Sequence, residues 1–524
     1  MTGGLIQLVA YGFEDLFLTG NPQITYFKTV FRRHTNFSKE QIPQNFLGTG
    51  KFGKKVSCTL SKDGDLIGNI LLLVTLPSIN QFTETDTISK FAWVHRIGFS
   101  LIKTIEIEIN DIIIDRHYGD WLSLWSELAG DFYGDQQRGF YNMIGEISDL
   151  YGFSKTKDEY TLYVPLQFWF CRSSGLAIPL ISLHYSDVKL NIEFNDEDKC
   201  YIVAPTSYIV CLGNISNYTD YEYIEQNING DIRAGLFVKF DVTTKRLYYV
   251  QLTNDTFAGI PALGVSTQAE KDAILAQATT SWYYITGKTS RFSMYPDFNV
   301  TSLSYTVSKI RNLKFKDCFL LVDYYFLNDD ERVRMSQSKH DYLIEQLFQT
   351  PDITIDGINR DSRIIVDQPC KLLVWILQLK SNVNSKDYYN YSDSYRHKIE
   401  EDTQLPDLVV GQVTGSSIVS DETILLNGYE RLSSRSSDYF NMIQPHQHFK
   451  FSPQVGINAY SFGLFPTLIQ PSGTCNMSQI DDILIRTKVG SNITSSNSAV
   501  FRAYGLSYNI LRITSGIGGV VFTR

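Results

Sequence analysis

Apolar and polar residues alternate with a period of two along most of the 524-residue chain. The pattern is clearest where Ile105, Ile107 and Ile109 alternate with Glu106 and Glu108, and it returns in KVSCTLS, DVKLNIEF, DITIDG and DILIRT. Successive side chains of a strand point to opposite faces of a sheet, so each segment predicts a strand with one buried face. Strands separated by long loops, without a regular strand–helix repeat, indicate an all-β protein of antiparallel sheets.

Helical spacing of apolar residues is confined to two short segments. Trp121, Leu124, Trp125 and Leu128 form one stripe, and HDYLIEQLF at 340–348 contains another. Both predict short helices. The content of tyrosine and phenylalanine, 32 of each, favours strands elsewhere.

The chain is too long for one core and predicts two or three domains. A weak internal duplication supports two domains, because the residue pattern of 108–125 recurs at 425–442 and that of 172–192 recurs at 469–485. In each copy an alternating strand and a tight turn recur in the same order. Two similar sandwiches in tandem are therefore expected, with a boundary near Ser338, just before the second helical segment.

Charge, cysteines and apolar runs indicate where such a protein works. A net charge of −9 argues against broad nucleic-acid binding, which needs a clustered basic surface. Seven cysteines without close pairing predict reduced thiols in a cytosolic compartment. The runs ILLLVTL and LLVWILQL are far shorter than the roughly 20 residues that cross a bilayer, and the N-terminus lacks the features of a signal peptide. The sequence predicts a soluble protein.

The stretch GTGKFGKK resembles a nucleotide-binding loop, but its context does not support one. Gly48, Gly50 and Gly53 fit G-x-G-x-x-G, and Lys54 fits the lysine of a Walker loop. Lys55 stands where that loop needs Ser or Thr, and the next segment predicts a strand instead of the helix whose N-terminus would face phosphates. A glycine-rich turn that enters a strand is expected.

The pair His446 and His448 matches the H-x-H of cupins, which are metal enzymes with an all-β jelly-roll fold. A cupin needs a Glu where Ser452 stands, and a later histidine where Asn476 stands. Two histidines without a carboxylate partner make a poor metal site, so strand-edge histidines are expected. The sequence predicts no catalytic residues, no metal and no cofactor.

Long segments resemble the major capsid proteins of nucleocytoplasmic large DNA viruses, of the phycodnavirus and mimivirus kind. The resemblance starts in GGLIQLVAYGFEDLFLTGNPQITYFKTVFRRHTNF and continues through FGKKVSCTLSKDGDLI, DRHYGDWL and YVPLQFWFCRSSGLAIPLISLHYSDVKL. It resumes at VDYYFLNDDERVRMSQSKHDYLIEQLF, QPSGTCNMSQID and YNILRITSGIGG. These segments span most of the chain, apart from about 195–309 and 381–420.

The resemblance implies an all-β fold of two tandem eight-stranded antiparallel jelly rolls, a double jelly roll with a large loop insertion in the first. It implies an N-terminal arm at 1–25, a first jelly roll at 26–338 and a second at 339–524. The implied function is structural and not enzymatic. Three chains would form a homotrimeric, pseudo-hexagonal capsomer, and capsomers would tile an icosahedral shell over an inner membrane. Assembly would take place in the host cytoplasm, and the protein would reside in the virion.

By the same resemblance, the N-terminal segment would be an arm at the capsomer base, facing the inner membrane or minor capsid proteins. Burial of its aromatic residues would anchor it, and these are Tyr11, Phe13, Phe17, Tyr26, Phe27 and Phe31. The alternative is that these side chains simply cap the core of the first sandwich.

The insertion at about 195–309 is far longer than an ordinary loop, which rarely exceeds about 15 residues. Its alternating pieces GLFVKFDV and RLYYVQL, and a helix near 268–278, predict a small exterior tower that could contact the host surface. Glycosylation sequons place candidate sites at Asn214, Asn217, Asn254 and Asn299, although a cytoplasmic protein does not meet the secretory glycosylation machinery. The shorter segment 381–420 is expected to be a loop of the second roll.

Two other classes of function stay open. A carbohydrate-binding or adhesion sandwich would use the tower as its binding element. A cupin-type enzyme is disfavoured by the missing carboxylate.

Overall fold

The computed structural model of the chain describes residues 34–80, 88–132, 137–261, 267–305, 313–393, 415–490, 493 and 498–522. The predicted arm 1–25 lies outside the described residues. So do the six aromatic residues expected to anchor it, Tyr11, Phe13, Phe17, Tyr26, Phe27 and Phe31.

Strands account for most of the regular structure, and they follow the chain in three groups. Before the insertion come β1 Phe37–Asn45, β2 Lys55–Thr59, β3 Leu66–Leu76, β4 Lys90–Trp93, β5 Ile102–Ile109, β6 Ile112–Tyr118, β7 Tyr160–Pro165, β8 Ile178–Pro179 and β9 Val188–Phe194. The insertion contributes β10 Tyr201–Ala204, β11 Ser207–Val210, β12 Tyr223–Ile228, β13 Asp231–Asp241, β14 Arg246–Gln251, β15 Ile285–Gly287, β16 Ser293–Met294 and β17 Leu303–Ser304. After it come β18 Cys318–Leu327, β19 His340–Gln349, β20 Ile353–Ile355, β21 Asn359–Arg363, β22 Pro369–Leu379, β23 Val419–Leu426, β24 Tyr429–Ser436, β25 Ile457–Ser461, β26 Cys475–Asn476, β27 Ile483–Val489, β28 Ala499–Thr514 and β29 Ile517–Val520.

Helices are short and lie between strands. The α-helices are Ile97–Ser100, Gly119–Ala129, Gln137–Ile144, Ser148–Tyr151, Trp169–Arg172, Glu197–Cys200, Gln268–Leu275, Asp329–Gln337, Lys380–Asn384 and Gln444–His448. Short segments of 3₁₀ or π helix occupy Ser174–Leu176, Leu180–Ser182, Ala278–Tyr283, Tyr439–Ile443 and Met477–Gln479. Across the described ranges, no helix combines the length and the apolar character that a membrane span requires.

The strands form two sandwiches with the same antiparallel connectivity. In the first, the sheet β1-β18-β3-β7 faces the sheet β2-β9-β5-β6. In the second, β19-β28-β22-β25 faces β21-β27-β23-β24, with the short β20, β26 and β29 added to the first of these sheets. The correspondence runs strand by strand, so the predicted double jelly roll is confirmed. The echoed segments 108–125 and 425–442 are equivalent hairpins, each followed by a helical segment.

The insertion forms a sheet of its own, in the order β16-β15-β12-β13-β14-β11-β17. The pieces predicted as strands are the central β13 and β14, and the predicted helix is Gln268–Leu275. One face carries a core that includes Phe237 and Tyr249. The other face packs towards the first jelly roll, where Tyr221 stacks on Phe153 with ring centroids 4.9 Å apart. The insertion is therefore a small folded unit seated on the first jelly roll.

The helix predicted at 340–348 is wrong, because this segment is strand β19. The neighbouring helix, Asp329–Gln337, ends before Ser338 instead of beginning after it. Residues 344–348 are all buried, including Glu345 and Gln346. A strand covered on both faces loses its period-two alternation, so its apolar residues fall by chance into helical spacing.

The helix Gly119–Ala129 was predicted from its apolar stripe, and the structure confirms it. Leu122 joins the core of its own jelly roll, but the residues of the stripe do not. Trp121, Leu124, Trp125 and Leu128 pack against the second jelly roll, in one cluster with residues of β19, β22 and β25. Apolar packing of this kind makes the contact between the two jelly rolls, here called the junction, resemble a domain core.

Part of 381–420, the segment predicted to be a loop of the second roll, packs into the junction. Tyr389 lies in the core cluster of the first jelly roll, and its hydroxyl accepts a hydrogen bond from Ser100 Oγ at 3.2 Å. Tyr391 is buried in the apolar cluster of the junction. Residues 394–414 lie outside the described ranges.

Candidate functional site

The glycine-rich stretch 48–55 is a turn that enters strand β2, as predicted. A Cβ added at Gly50 would lie 2.7 Å from Cys318 Sγ, so this glycine permits close packing of the turn. The Lys55 ammonium lies 2.7 Å from the carboxylate of the buried Glu106. Lys55, which stands at the Ser or Thr position of a Walker loop, is therefore engaged in an ion pair within the sheet.

His446 and His448 lie on the short helix Gln444–His448, so their predicted place at a strand edge is wrong. Pro445 sits in the first turn of that helix, where a missing N–H costs nothing. His448 Nδ1 lies 3.1 Å from the carbonyl oxygen of Leu464. Among the described residues, no three His, Cys, Asp or Glu side chains come close enough together to hold a metal ion.

A buried ionic cluster crosses the junction. Glu345 on β19 pairs with Lys371 on β22 and with Arg172 from the first jelly roll. The side chains of Lys371 and Glu345 are only 1% and 7% exposed. The guanidinium of Arg172 also lies 4.6 Å from the ring centroid of Trp125. One carboxylate thus holds two cations, one from each jelly roll.

Burial and charge act in opposite directions on the carboxylate of this cluster. Burial would raise the pKa of Glu345, but the Arg172 and Lys371 charges hold it below its usual value. Burial lowers the pKa of Lys371 to about 8, although Glu345 opposes this. Glu345 therefore stays ionised between its two partners.

A second polar group closes the junction beside the apolar cluster. Arg502 on β28 pairs with Asp120 of the first jelly roll and, at 2.6 Å, with Asp352. The carboxylate of Asp115 on β6 accepts the backbone N–H of Leu347 on β19 at 2.9 Å. Together with the apolar packing, these contacts hold the two jelly rolls in one arrangement.

An exposed apolar patch lies on the second jelly roll. In the loop after β25, the side chains of Leu464, Phe465, Leu468 and Ile469 are between 39% and 63% exposed. The loop is held in shape, since Ser472 Oγ accepts the backbone N–H of Phe465 at 2.9 Å. Contact between His448 and Leu464 brings this loop beside the helical segment that carries two further exposed apolar residues, Met442 and Ile443. These six apolar residues, 442, 443, 464, 465, 468 and 469, are called the apolar patch below.

Comparison with known proteins agrees with this architecture. The family model described as "Major capsid protein N-terminus" matches residues 25–230, and "Large eukaryotic DNA virus major capsid protein" matches 331–519. "Probable capsid protein 4" of Acanthamoeba polyphaga mimivirus is 40% identical, over 100% of this chain and 99% of its own length. The chain belongs to the major capsid proteins of large eukaryotic DNA viruses.

Other relatives of this capsid family agree over the whole chain. The "Major capsid protein" of Phaeocystis pouchetii virus is 31% identical, and the match covers 100% of both chains. Among solved structures, a chain of the PBCV-1 virus capsid gives a TM-score of 0.62 at 24% identity, over 95% of this chain and 100% of that one. The Faustovirus major capsid protein gives 0.63 at 12% identity, over 94% and 93%. The family's members are structural components of the virion capsid, and this chain is not an enzyme.

The four candidate glycosylation sites predicted on the insertion, Asn214, Asn217, Asn254 and Asn299, are all exposed. Asn214 accepts a hydrogen bond from Lys245, and Asn254 accepts one from Asn384 of the second jelly roll at 2.8 Å. Exposure is compatible with modification, which stays a prediction.

The ionic cluster of Arg172, Glu345 and Lys371, called the junction cluster below, is the site that sequence reasoning missed. A signal for it was present, because Lys371 and Glu345 each interrupt an apolar run of a buried strand. A charge that must be buried needs a partner of opposite sign, so each residue pointed to an ion pair.

A further buried carboxyl lies in the core of the second jelly roll and gives a prediction about pH. Glu422 is 1% exposed and accepts hydrogen bonds from Trp375 Nε1 at 2.8 Å and Asn458 Nδ2 at 2.9 Å. It forms no ion pair with another residue of the described ranges. Burial raises the pKa of Glu422 to about 8, while both hydrogen bonds oppose the rise.

Because the folded chain holds this proton more tightly than the unfolded chain, stability should fall as pH rises from about 4.5 to about 8. We expect Glu422→Gln to remove this pH dependence and to raise the melting temperature at pH 8 by a few degrees. The reason is that each tenfold difference in proton affinity between the folded and the unfolded chain changes the free energy of unfolding by about 1.4 kcal/mol. Thermal unfolding of both proteins at pH 5, 6.5 and 8 tests this, with pH 5 as the internal control. Parallel curves for the two proteins would contradict it.

Proposed function

We propose that three copies of this major capsid protein form a pseudo-hexagonal capsomer, and that capsomers tile an icosahedral shell. Support comes from the repeated connectivity of the two jelly rolls, because three chains then supply six similar blocks. A rigid junction between the rolls is needed for such a block to keep its shape. Closed contacts within the capsomer, and repeated contacts between capsomers, follow the rules of symmetric assembly.

The apolar patch is the observation that best supports the formation of a trimer. Contiguous exposed apolar patches commonly mark protein–protein interaction sites, whereas single exposed apolar residues are ordinary. We propose that a second copy of the chain covers this patch. A permanent interface of this kind would bury on the order of 2,000 Å² or more. Leu464, Phe465 and Leu468 would form the centre of that contact.

The proposal also includes the surroundings of the capsomer. Its N-terminal arm would meet minor capsid proteins or an inner membrane, and neighbouring capsomers would meet along the sides. Synthesis and assembly would occur in the host cytoplasm, which fits the seven cysteines, all of them free thiols.

A charge placed in the apolar patch tests the trimer. We expect the double variant Phe465→Glu, Leu468→Glu to fold but to have the mass of one chain. Both side chains are more than half exposed, and a buried carboxylate at an interface would lack a partner. Light scattering after size-exclusion chromatography measures the mass.

The matched control is Tyr429→Glu, which changes an exposed aromatic residue of the same jelly roll that lies outside the apolar patch. It should keep the mass of the unaltered protein. A double variant that still has the mass of three chains would show that the apolar patch is not the trimer contact.

A further inference from the structure

We infer that the insertion carries a binding cleft for a neutral oligosaccharide. The cleft has a volume of about 580 Å³ and opens between strands β12 and β15 and the turn Ala278–Tyr283. Its size is that of a small-molecule site, and its lining combines convergent polar groups with aromatic rings.

Alternate residues of strand β12 form the floor of the cleft. Glu225 and Asn227 face the cleft, while Gln226 between them is buried. The Gln226 amide donates to the carbonyl oxygens of Ala258 at 2.8 Å and Tyr283 at 2.9 Å, which ties the strand to the segment that forms the wall. On β15, Thr286 lies directly opposite Glu225 and adds a hydroxyl. The floor therefore offers a carboxylate, an amide and a hydroxyl.

The turn at the end of β12 orients the amide of the floor. Asn229 and Gly230 have φ of 54° and 92°, the left-handed pair that a tight hairpin turn requires. The N–H of Gly230 donates to Asn227 Oδ1 at 2.9 Å. Because the oxygen of Asn227 is used in this way, its amide NH₂ is the group left to donate to a ligand.

Aromatic side chains form the wall. Trp282 is 47% exposed, although a large apolar ring is usually buried. Tyr284 is fixed by stacking on Tyr295, with centroids 3.8 Å apart and planes 20° apart. A pyranose ring has an apolar face of C–H groups and a rim of hydroxyls, so it can pack on an indole while it bonds to amide, hydroxyl and carboxylate groups. The cleft presents both halves of that chemistry.

Charge selects the class of sugar. Within the described lining, Glu225 is the charged residue, and it pairs with Lys288. No lining residue offers a cation to a sialic acid carboxylate or a sulfate. The cleft therefore favours a neutral oligosaccharide over an acidic one. Sugar binding would involve a single chain and does not depend on trimer formation; a role in contact with a host surface would follow from the predicted position of the insertion on the outside of a capsid.

The test uses the purified full chain with four probes: chitotriose, lactose and mannotriose as neutral sugars, and sialyllactose as the acidic comparator. Saturation-transfer NMR should show transfer to at least one neutral probe and less to sialyllactose. Titration of that probe should show a loss of affinity of about tenfold in Trp282→Ala, which corresponds to about 1.4 kcal/mol. Asn227→Asp keeps the acceptor for Gly230 and removes the amide donor, so it should weaken binding several-fold.

The matched control is Tyr429→Ala, which removes an exposed aromatic ring from the second jelly roll and should leave the affinity unchanged. No transfer to any neutral probe, or equal affinity for Trp282→Ala and the unaltered chain, would overturn the inference. The mass of each sample is measured in parallel. If the protein is a trimer but binds no sugar, only the proposed sugar binding is contradicted. If it is a monomer that binds sugar, only the proposed trimer is contradicted.

Discussion

Replacing Glu345 by Ala lowers the free energy of unfolding by about 3–5 kcal/mol, because it leaves two buried cations without their partner. Lys371 is 1% exposed, and Arg172 is largely buried against Trp125. With the carboxylate gone, the guanidinium of Arg172 must stay charged without compensation, and Lys371 must do the same or lose its proton. Urea unfolding at pH 7 measures the change.

The cluster lies where the two jelly rolls meet, so the loss should also reduce cooperativity between them. We expect the variant to unfold in two steps if the unaltered protein unfolds in one. Asp361→Ala is the matched control, since Asp361 pairs with Arg486 at 2.8 Å on the exposed surface of the second jelly roll. Its loss should cost about 0–1 kcal/mol. Similar small losses in both variants would contradict a junction held by a buried carboxylate.

Replacing Gly119 by Ala should destabilise the protein by about 1–3 kcal/mol or more, because there is no room for a methyl group. A Cβ at this position would lie 2.3 Å from the carbonyl oxygen of Phe99 and 2.5 Å from that of Ile102. Both obstacles are backbone atoms, so they cannot turn away as a side chain could. The helix that starts at Gly119 carries Trp121 and Trp125 into the junction, and a shift would disturb that packing too.

The matched control is Gly139→Ala, in the helix Gln137–Ile144, where an added Cβ meets no atom within 4 Å. Alanine is the better helix former by up to about 1 kcal/mol, so this variant should be equally or more stable. Thermal unfolding of the two variants side by side is the measurement. Equal stability of Gly119→Ala and the unaltered protein would mean that the helix does not sit so tightly on the backbone of residues 99–102.

Much of the fold could be predicted because several strands alternate buried residues with more exposed ones, as β2 and β27 do. The alternation in β5 and β9, and its return in β27, was enough to give two sandwiches of antiparallel strands. Prediction failed at β19, where the junction covers both faces and the alternation disappears. In the insertion, β13 and β14 were recognised as strands although two cores cover both of their faces, because aromatic and β-branched residues, which favour strands, are frequent in them.

The sites were harder to predict, because they combine residues that are distant in the chain. The junction cluster joins Arg172, Glu345 and Lys371, and the cleft joins 225–230 with 281–286. Local motifs pointed instead to the glycine loop and the histidine pair, which form a turn and part of a helix. The apolar patch could have been noticed in the stretch GLFPTLI, whose apolar residues follow neither a strand nor a helix pattern. Only the fold shows that they are exposed.

The mass of the unaltered protein in solution is the most direct test of the capsomer. Light scattering on the purified chain, with negative-stain images of the same peak, should give three times the chain mass of 59.8 kDa and particles with a hexagonal outline. A stable particle of 59.8 kDa, with no larger species at higher concentration, would contradict a capsomer that forms from this chain alone.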